Sequence, residues 1–397
     1  MMQSFKTGKS CRRAVALLVA GAAASALATS AQAADGPLSY SLDYTADVGG
    51  VLDGGLARRG RVLDDLSLTV DLDLGAALGW SNTTAHMTVL NNSGGMPNED
   101  AGTLQGVDNI EVSRHRTRLF EAWVETGFAD GKGTVLAGLY DVNSEFYAND
   151  SAGLLIAPAF GIGSELAATG PNGPSIFPST ALAVRLKWTT EAGGYAQAVV
   201  LNARSGVLGD PDGIDTSFDS GVLMIGEVGW QGAGKLAIGA WRYSDKQDDW
   251  RLVDAAGDPV RQKAGGVYLL AERRIRGSED SPGRTTAFLR AGVSDGTTSA
   301  FDGGWQAGIL VEQPFASRPD SQWSVGVNQA FISGRERANG VDAGRDIGRT
   351  EMAFEVTYSD KLGPVTVQPD LQYIIRPSGD RDIDNALVAT LRLSVSY

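Results

Sequence analysis

From Leu38 to Tyr397 the chain alternates apolar and polar residues with a period of two. Leu66, Leu68, Val70, Leu72 and Leu74 are separated by Ser67, Thr69, Asp71 and Asp73; Leu182, Val184, Leu186 and Trp188 by Ala183, Arg185 and Lys187. Met352, Phe354, Val356 and Tyr358 alternate with Ala353, Glu355 and Thr357, and Leu387, Ala389, Leu391, Leu393, Val395 and Tyr397 with small or polar residues and Arg392. Successive side chains of a strand point to opposite faces, so this period predicts β-strands with one apolar face. About sixteen such segments are present, over 38–47, 66–78, 83–91, 117–127, 133–141, 181–190, 194–204, 220–230, 234–244, 264–275, 283–294, 302–313, 320–333, 348–360, 364–375 and 384–397. Each is near the length at which a tilted strand crosses a bilayer, roughly 9–11 residues.

The joins carry a second regularity. Long ones (48–65, 92–116, 142–180, 205–219, 245–263, 334–347) alternate with short ones (Gly79–Asn82, Ala129–Lys132, Glu191–Gly193, Gln231–Ala233, Lys361–Gly363). Membrane barrels have short periplasmic turns and long outer loops, and an even strand count brings both ends of the barrel to the periplasmic side. A soluble sandwich or a β-helix also has strands with one apolar face, but neither explains the phased loop lengths, and the short repeat of a β-helix is missing. The pattern predicts an all-β fold, a transmembrane antiparallel β-barrel of about sixteen strands. Trp80, Trp188, Trp230, Trp241, Trp305, Trp323 and Tyr397 lie near strand ends, where aromatic rings favour the membrane interfaces; Trp188, Trp305 and Trp323 read as lipid anchors.

Residues 1–33 read as a secretory signal peptide: Lys6, Lys9, Arg12 and Arg13 precede the apolar run Ala14–Ala28, and Ala31-Gln32-Ala33 supplies a cleavage site. Residues 34–397 are then one barrel domain, placed in the cell outer membrane after export. The single cysteine, Cys11, falls in the signal, so the exported part has neither disulfide nor thiol chemistry. Beyond residue 33 the chain carries 30 basic and 47 acidic residues, a net charge of −17 that argues against nucleic-acid binding. His86 and His115 have no ligand-spaced neighbours, and no serine elbow or phosphate-cradling loop is present. The sequence therefore predicts no enzyme, no metal and no cofactor. A barrel-anchored adhesin would need a large outer domain, and the longest join falls short of one.

Four stretches resemble the carbohydrate-selective porin family, the OprB-type porins. They are Phe120–Glu125, Ala137–Phe146, Phe160–Gly163 with the segment to Pro178 and the strand Ala181–Trp188, and Val367–Pro377 with the closing strand Ala386–Tyr397. The resemblance implies passive diffusion of mono- or oligosaccharides through a water-filled, charged, arginine-containing constriction. It also implies outer-membrane lipid and lipopolysaccharide as surroundings. Monomer and homotrimer stay open, because a trimer interface and a lipid face are both apolar. The middle, 205–265, departs most from the family pattern, so a general or anion-preferring diffusion porin stays as the alternative.

Strand parity supplies candidate constriction residues. A charge on the lipid face near the midplane costs roughly 2–4 kcal/mol, so Arg185, Lys187, Arg290 and Arg392 are expected to face the lumen. Glu121, Trp123 and Glu125 share a face opposite Phe120, Ala122 and Val124 and are expected to join them. Arginine forks can meet sugar hydroxyls, and Trp123 can stack on a pyranose. Asp71, Asp73, Glu355, Gln368, Asp370 and Gln372 also read as lumenal, with hydration of the lumen as their simpler role. The Arg114–Arg118 tract reads as a solvated loop end. The join 142–180 contains Leu154, Leu155, Ile156, Phe160 and Ile162 and is expected to fold into the pore.

Overall fold

The computed structural model describes residues 36–279 and 281–397; the signal segment, with Cys11, lies outside the described residues. In chain order the strands are β1 (Leu38–Asp53), β2 (Gly60–Asp73), β3 (Thr83–Gly94), β4 (Arg116–Phe128), β5 (Gly133–Tyr140) and β6 (Ala181–Thr189). They continue as β7 (Gly194–Asn202), β8 (Val222–Gln231), β9 (Gly234–Tyr243), β10 (Gln247–Val253), β11 (Pro259–Gln262) and β12 (Gly265–Arg276). The last six are β13 (Arg284–Ser294), β14 (Phe301–Glu312), β15 (Gln322–Ile332), β16 (Thr350–Leu362), β17 (Val365–Ile375) and β18 (Ala386–Ser396). Sixteen of them close into one antiparallel barrel; β10 and β11 form a separate hairpin between β9 and β12. The ring is sealed by β1 against β18, where Tyr44 faces Val395 and Ala46 faces Leu393.

Burial runs opposite to that of a water-soluble protein. Val184, Val228 and Ile238 expose 55 %, 54 % and 56 % of their surface, while Asp47, Arg290 and Gln306 expose 0 %. Apolar side chains predominate at outward positions and polar ones at most inward positions, the arrangement that hydrocarbon outside and water inside select, while the walls β5–β9 and β12 also turn apolar residues inward. Closure leaves no strand edge for lipid to meet.

Four of the seven aromatic side chains named from sequence, Trp80, Trp188, Trp230 and Tyr397, are exposed. Trp188 and Trp230 are exposed next to short turns, Trp230 donates to the Ala192 carbonyl at 2.8 Å, and Phe128 lies against Trp188 with ring centroids 6.1 Å apart. Trp305 is half-buried and donates to Gln329 at 2.9 Å. Trp241 differs: it is buried inside the barrel, stacked near Tyr268, because its neighbours Leu236, Ile238 and Ala240 take the outward positions.

Three boundaries shift. The join expected at 48–65 is mostly strand, since Gly49-Gly50 interrupts the apolar pattern without breaking the pairing of β1 with β2. At Gly50 the backbone sits at φ 151°, and a Cβ would stand 2.0 Å from the Arg59 carbonyl. The strand expected to reach residue 78 stops at Asp73, whose carboxylate accepts from Ala76 N at 3.0 Å and caps a short helix, Leu74–Leu78. The join 245–263 holds the hairpin β10–β11.

One irregularity sets the site. Thr88 pairs with Glu121 but Val89 pairs with Leu119, so Phe120 is the extra residue of a β-bulge. Phe120 is buried, not lipid-facing as its parity suggested. The bulge resets the alternation, so Arg116 and Arg118 before it and Glu121, Trp123 and Glu125 after it all face the lumen.

Candidate pore constriction

Two joins fold into the barrel and are fastened there by wall side chains. The segment 141–180, between β5 and β6, crosses the lumen to the opposite wall. Arg290 on β13 donates to the carbonyls of Tyr147 (2.9 Å), Gly161 (2.6 Å) and Ala159 (3.0 Å). Glu227 on β8 accepts from Tyr147 N at 3.1 Å, Tyr268 OH and Tyr195 OH at 2.7 Å each, and Gln197 Nε2 at 3.1 Å. Glu272 on β12 accepts from Ser151 N (2.8 Å) and Oγ (2.6 Å), Glu355 on β16 from Ile156 N and Ala157 N, and Gln368 on β17 donates to Leu154 O (2.7 Å). Tyr147 stacks on Tyr268 with centroids 4.1 Å apart. These contacts answer the loop's orphan backbone groups, which burial would otherwise penalise. The apolar residues of the loop pack against inward Val199, Leu201, Leu223, Ile225 and Leu270.

The segment 95–115, between β3 and β4, hangs from β16–β18. Glu351 accepts from Thr103 Oγ1 (2.5 Å), Leu104 N (2.9 Å) and Gln105 N (2.9 Å). Gln372 donates to Val107 O at 2.8 Å. Arg392 grips Asp47 through two nitrogens, Nε to Oδ1 at 2.9 Å and Nη2 to Oδ2 at 2.6 Å, and also donates to Asn109 Oδ1 at 2.7 Å.

Between the inserted loop and the wall β3–β6 lies an open recess of about 500 Å³, lined by His86, Glu121, Trp123, Glu125, Tyr140, Glu145, Arg185 and Lys187 among others. Arg185 is among these lining residues and is itself buried, 3 % exposed. Its Nε donates to Glu145 Oε2 at 2.8 Å, its Nη2 meets Glu125, and its Nη1 meets Thr134 Oγ1. Lys187 Nζ donates to Glu145 Oε1 at 2.8 Å, and Tyr140 OH to Glu145 Oε2 at 2.6 Å. Burial opposes ionisation of Glu145, but Arg185 and Lys187 outweigh it and hold its carboxyl below the usual range. Glu121 Oε1 accepts from Trp123 Nε1 (3.2 Å) and Asp141 N (3.0 Å). His86 stacks on Trp123, centroids 4.5 Å apart and planes at 12°, with Nδ1 2.7 Å from Asp71.

Of the seven residues singled out from sequence, five (Glu121, Trp123, Glu125, Arg185 and Lys187) line this one recess. Arg392 faces the lumen from another wall, tied to Asp47 and Asn109. Arg290 also points inward, but the loop covers it completely, and its hydrogen bonds go to loop carbonyls. Sequence parity missed Glu145, which a loop brings in, and Arg118, which the bulge hides. Arg118 is buried, its Nη1 meeting Pro178 O and, at 3.2 Å, Ser179 Oγ, while its Nε and Nη2 have no hydrogen-bond partner among the described residues. Arg116, expected with it at a solvated loop end, is buried too and lies 3.4 Å from Asp212; Arg114, His115 and Thr117 of that tract are exposed. No group of three or more metal-ligating side chains is assembled among the described residues.

A profile of the carbohydrate-selective porin, OprB family, matches residues 57–397. Porin B of Pseudomonas aeruginosa is 25 % identical over 408 residues, covering 90 % of this chain and 87 % of that protein. The high-pH structure of Pseudomonas putida OprB superposes with a TM-score of 0.80 at 22 % identity, covering 91 % of this chain and 94 % of that one. The outer membrane channel DcaP of Acinetobacter baumannii gives 0.53 at 10 % identity, covering 91 % and 97 %. The two structural likenesses carry the fold, and the profile carries the family. Spanning sixteen strands with lipid outside and polar side chains within, the chain belongs to the OprB family of carbohydrate-selective porins and resides in the outer membrane.

Proposed function

We propose that sugars diffuse passively past the recess between β3–β6 and the inserted loop, with Arg185, Lys187, Glu121, Glu125 and Glu145 as a charged constriction and Trp123 as its apolar platform. The supporting observation is the convergence of donors and acceptors from two strands and a loop on one open recess. A pyranose presents hydroxyls that both donate and accept at its rim and C–H groups on its faces. Paired arginine and carboxylate groups exchange hydrogen bonds with the rim, while the indole takes a face. Because most charges here are paired, the site favours a neutral polyol over a free anion. Arg392 with Asp47 forms a second charged station on the lumen wall, and Arg290 serves by holding the loop in place.

Single-channel recording in planar bilayers tests this reading. Glucose or a short oligosaccharide at millimolar concentration should reduce the current of the parent protein. Arg185→Ala with Lys187→Ala should weaken that block by about tenfold, the effect of losing one or two charge-assisted hydrogen bonds. It should also shift ion selectivity toward cations. An unblocked current with strong anion selectivity would favour a general anion-preferring porin instead.

A further inference from the structure

Two arginines, Arg242 and Arg273, face outward on the strands β9 and β12. Arg242 continues the outward row Leu236, Ile238, Ala240 on β9, and Arg273 the row Val267, Leu269, Ala271 on β12. Both are exposed, and neither side chain has a hydrogen bond or ion pair among the described residues. Outward cations are costly at the bilayer midplane and nearly free at its interfaces, so the pair marks the two headgroup levels. Arg242 lies at the long-loop, outer end.

The outer level is more basic than one residue. Arg242 pairs with Gly265 and Met224, and Tyr243 N bonds to Ala264 O at 3.1 Å. The chain then leaves as β10 and returns as β11, with Gln247 opposite Gln262. Lys246 and Lys263 therefore flank the foot of that hairpin, beyond Arg242 toward the outer end, and both side chains are likewise exposed and unpaired among the described residues. Two of the nearby carboxylates are paired with arginines. Asp248 pairs with Arg261 at 2.6 Å and Asp249 with Arg335 at 3.0 Å, while Asp295 accepts from Thr297 and Thr298. Asp245 accepts from the Ser244 hydroxyl at 3.0 Å, and Asp219 has no side-chain partner among the described residues.

We propose that Arg242, Lys246 and Lys263 form a binding site for the phosphate of an outer-leaflet glycolipid, the lipid A headgroup. The placement suits it: a guanidinium fork at headgroup height can take two phosphate oxygens, two exposed lysines flank the hairpin foot beyond it, and the apolar rows beneath can receive acyl chains. The site rests on the outer-membrane placement and not on the sugar reading, so failure of the sugar-block experiment leaves it standing.

The test is native mass spectrometry of the full barrel in detergent, titrated with bisphosphorylated lipid A, dephosphorylated lipid A and phosphatidylglycerol. The parent should bind the bisphosphorylated form at least about tenfold more tightly than either other lipid, as expected for charge-assisted phosphate contacts. Arg242→Ala with Lys246→Ala and Lys263→Ala should erase that preference, while Arg273→Ala on the opposite rim should keep it. Arg242→Gln alone, a mild change at an exposed position, should lower it severalfold and serves if the triple variant does not fold. Equal binding of both lipid A forms, phosphatidylglycerol as good as lipid A, or a folded variant that binds like the parent overturns the site.

Discussion

Arg290 and Arg185 face the same lumen with opposite uses. Parity along β13 and β6 was enough to place both inward, because lipid refuses a bare guanidinium. It did not tell open water from the underside of a loop, since that depends on contacts more than a hundred residues apart in sequence. Arg185 ends beside the open recess; Arg290 is spent on three loop carbonyls. Arg290→Ala should strand those carbonyls at a cost on the order of 3 kcal/mol and free the loop. Single-channel conductance should rise and sugar block should weaken while the barrel stays folded; a conductance equal to the parent's would show that Arg290 is dispensable for loop placement. Arg118 illustrates the other gap in legibility. A single extra residue, Phe120, inverted the face on which everything before it lies, and no period of two can announce a bulge.

The segment 141–180 could be read as an inward element from its apolar run, which open water would not tolerate. Part of its seat could not, because two glycines, besides the patterned wall side chains, make it. Gly292 and Gly304 face each other across β13 and β14, and the Glu165 carboxylate occupies the notch: a Cβ would stand 2.0 Å from its Oε1 at Gly292 and 3.2 Å from its Oε2 at Gly304. Tyr147 OH donates to Glu165 Oε1 at 2.6 Å, and burial pushes the Glu165 carboxyl up from its usual range. Gly292→Val fills the notch while leaving the ladder of β13 intact. It should drive the short helix Ser164–Ala167 off the wall, seen as faster amide hydrogen exchange over residues 160–170 with unchanged protection in β13 and β14. Equal exchange in the loop would mean that the carboxylate is not what seats it.

Taken whole, the barrel is specified by its outside more than its inside. The strand count, the turn phasing and the lipid face all follow from alternation, and the shifted boundaries arise at Gly49-Gly50 and at the Asp73 cap, where local backbone chemistry overrides it. Ile238→Lys, in the middle of the outward row of β9, should lower unfolding stability in lipid vesicles by about 2–4 kcal/mol; an unchanged denaturant midpoint would place Ile238 outside the hydrocarbon. The seam between β1 and β18 has its own consequence. Leu42 exchanges both backbone hydrogen bonds with Tyr397, at 3.1 and 3.0 Å, so the earliest strand in the chain finds its second neighbour only in the latest one. Until that partner arrives, two strand edges stand open, ready to pair with any other chain. Closure of this porin is thus all-or-nothing in time: a copy cut short before β18 can never seal its ring and keeps two edges open to other chains.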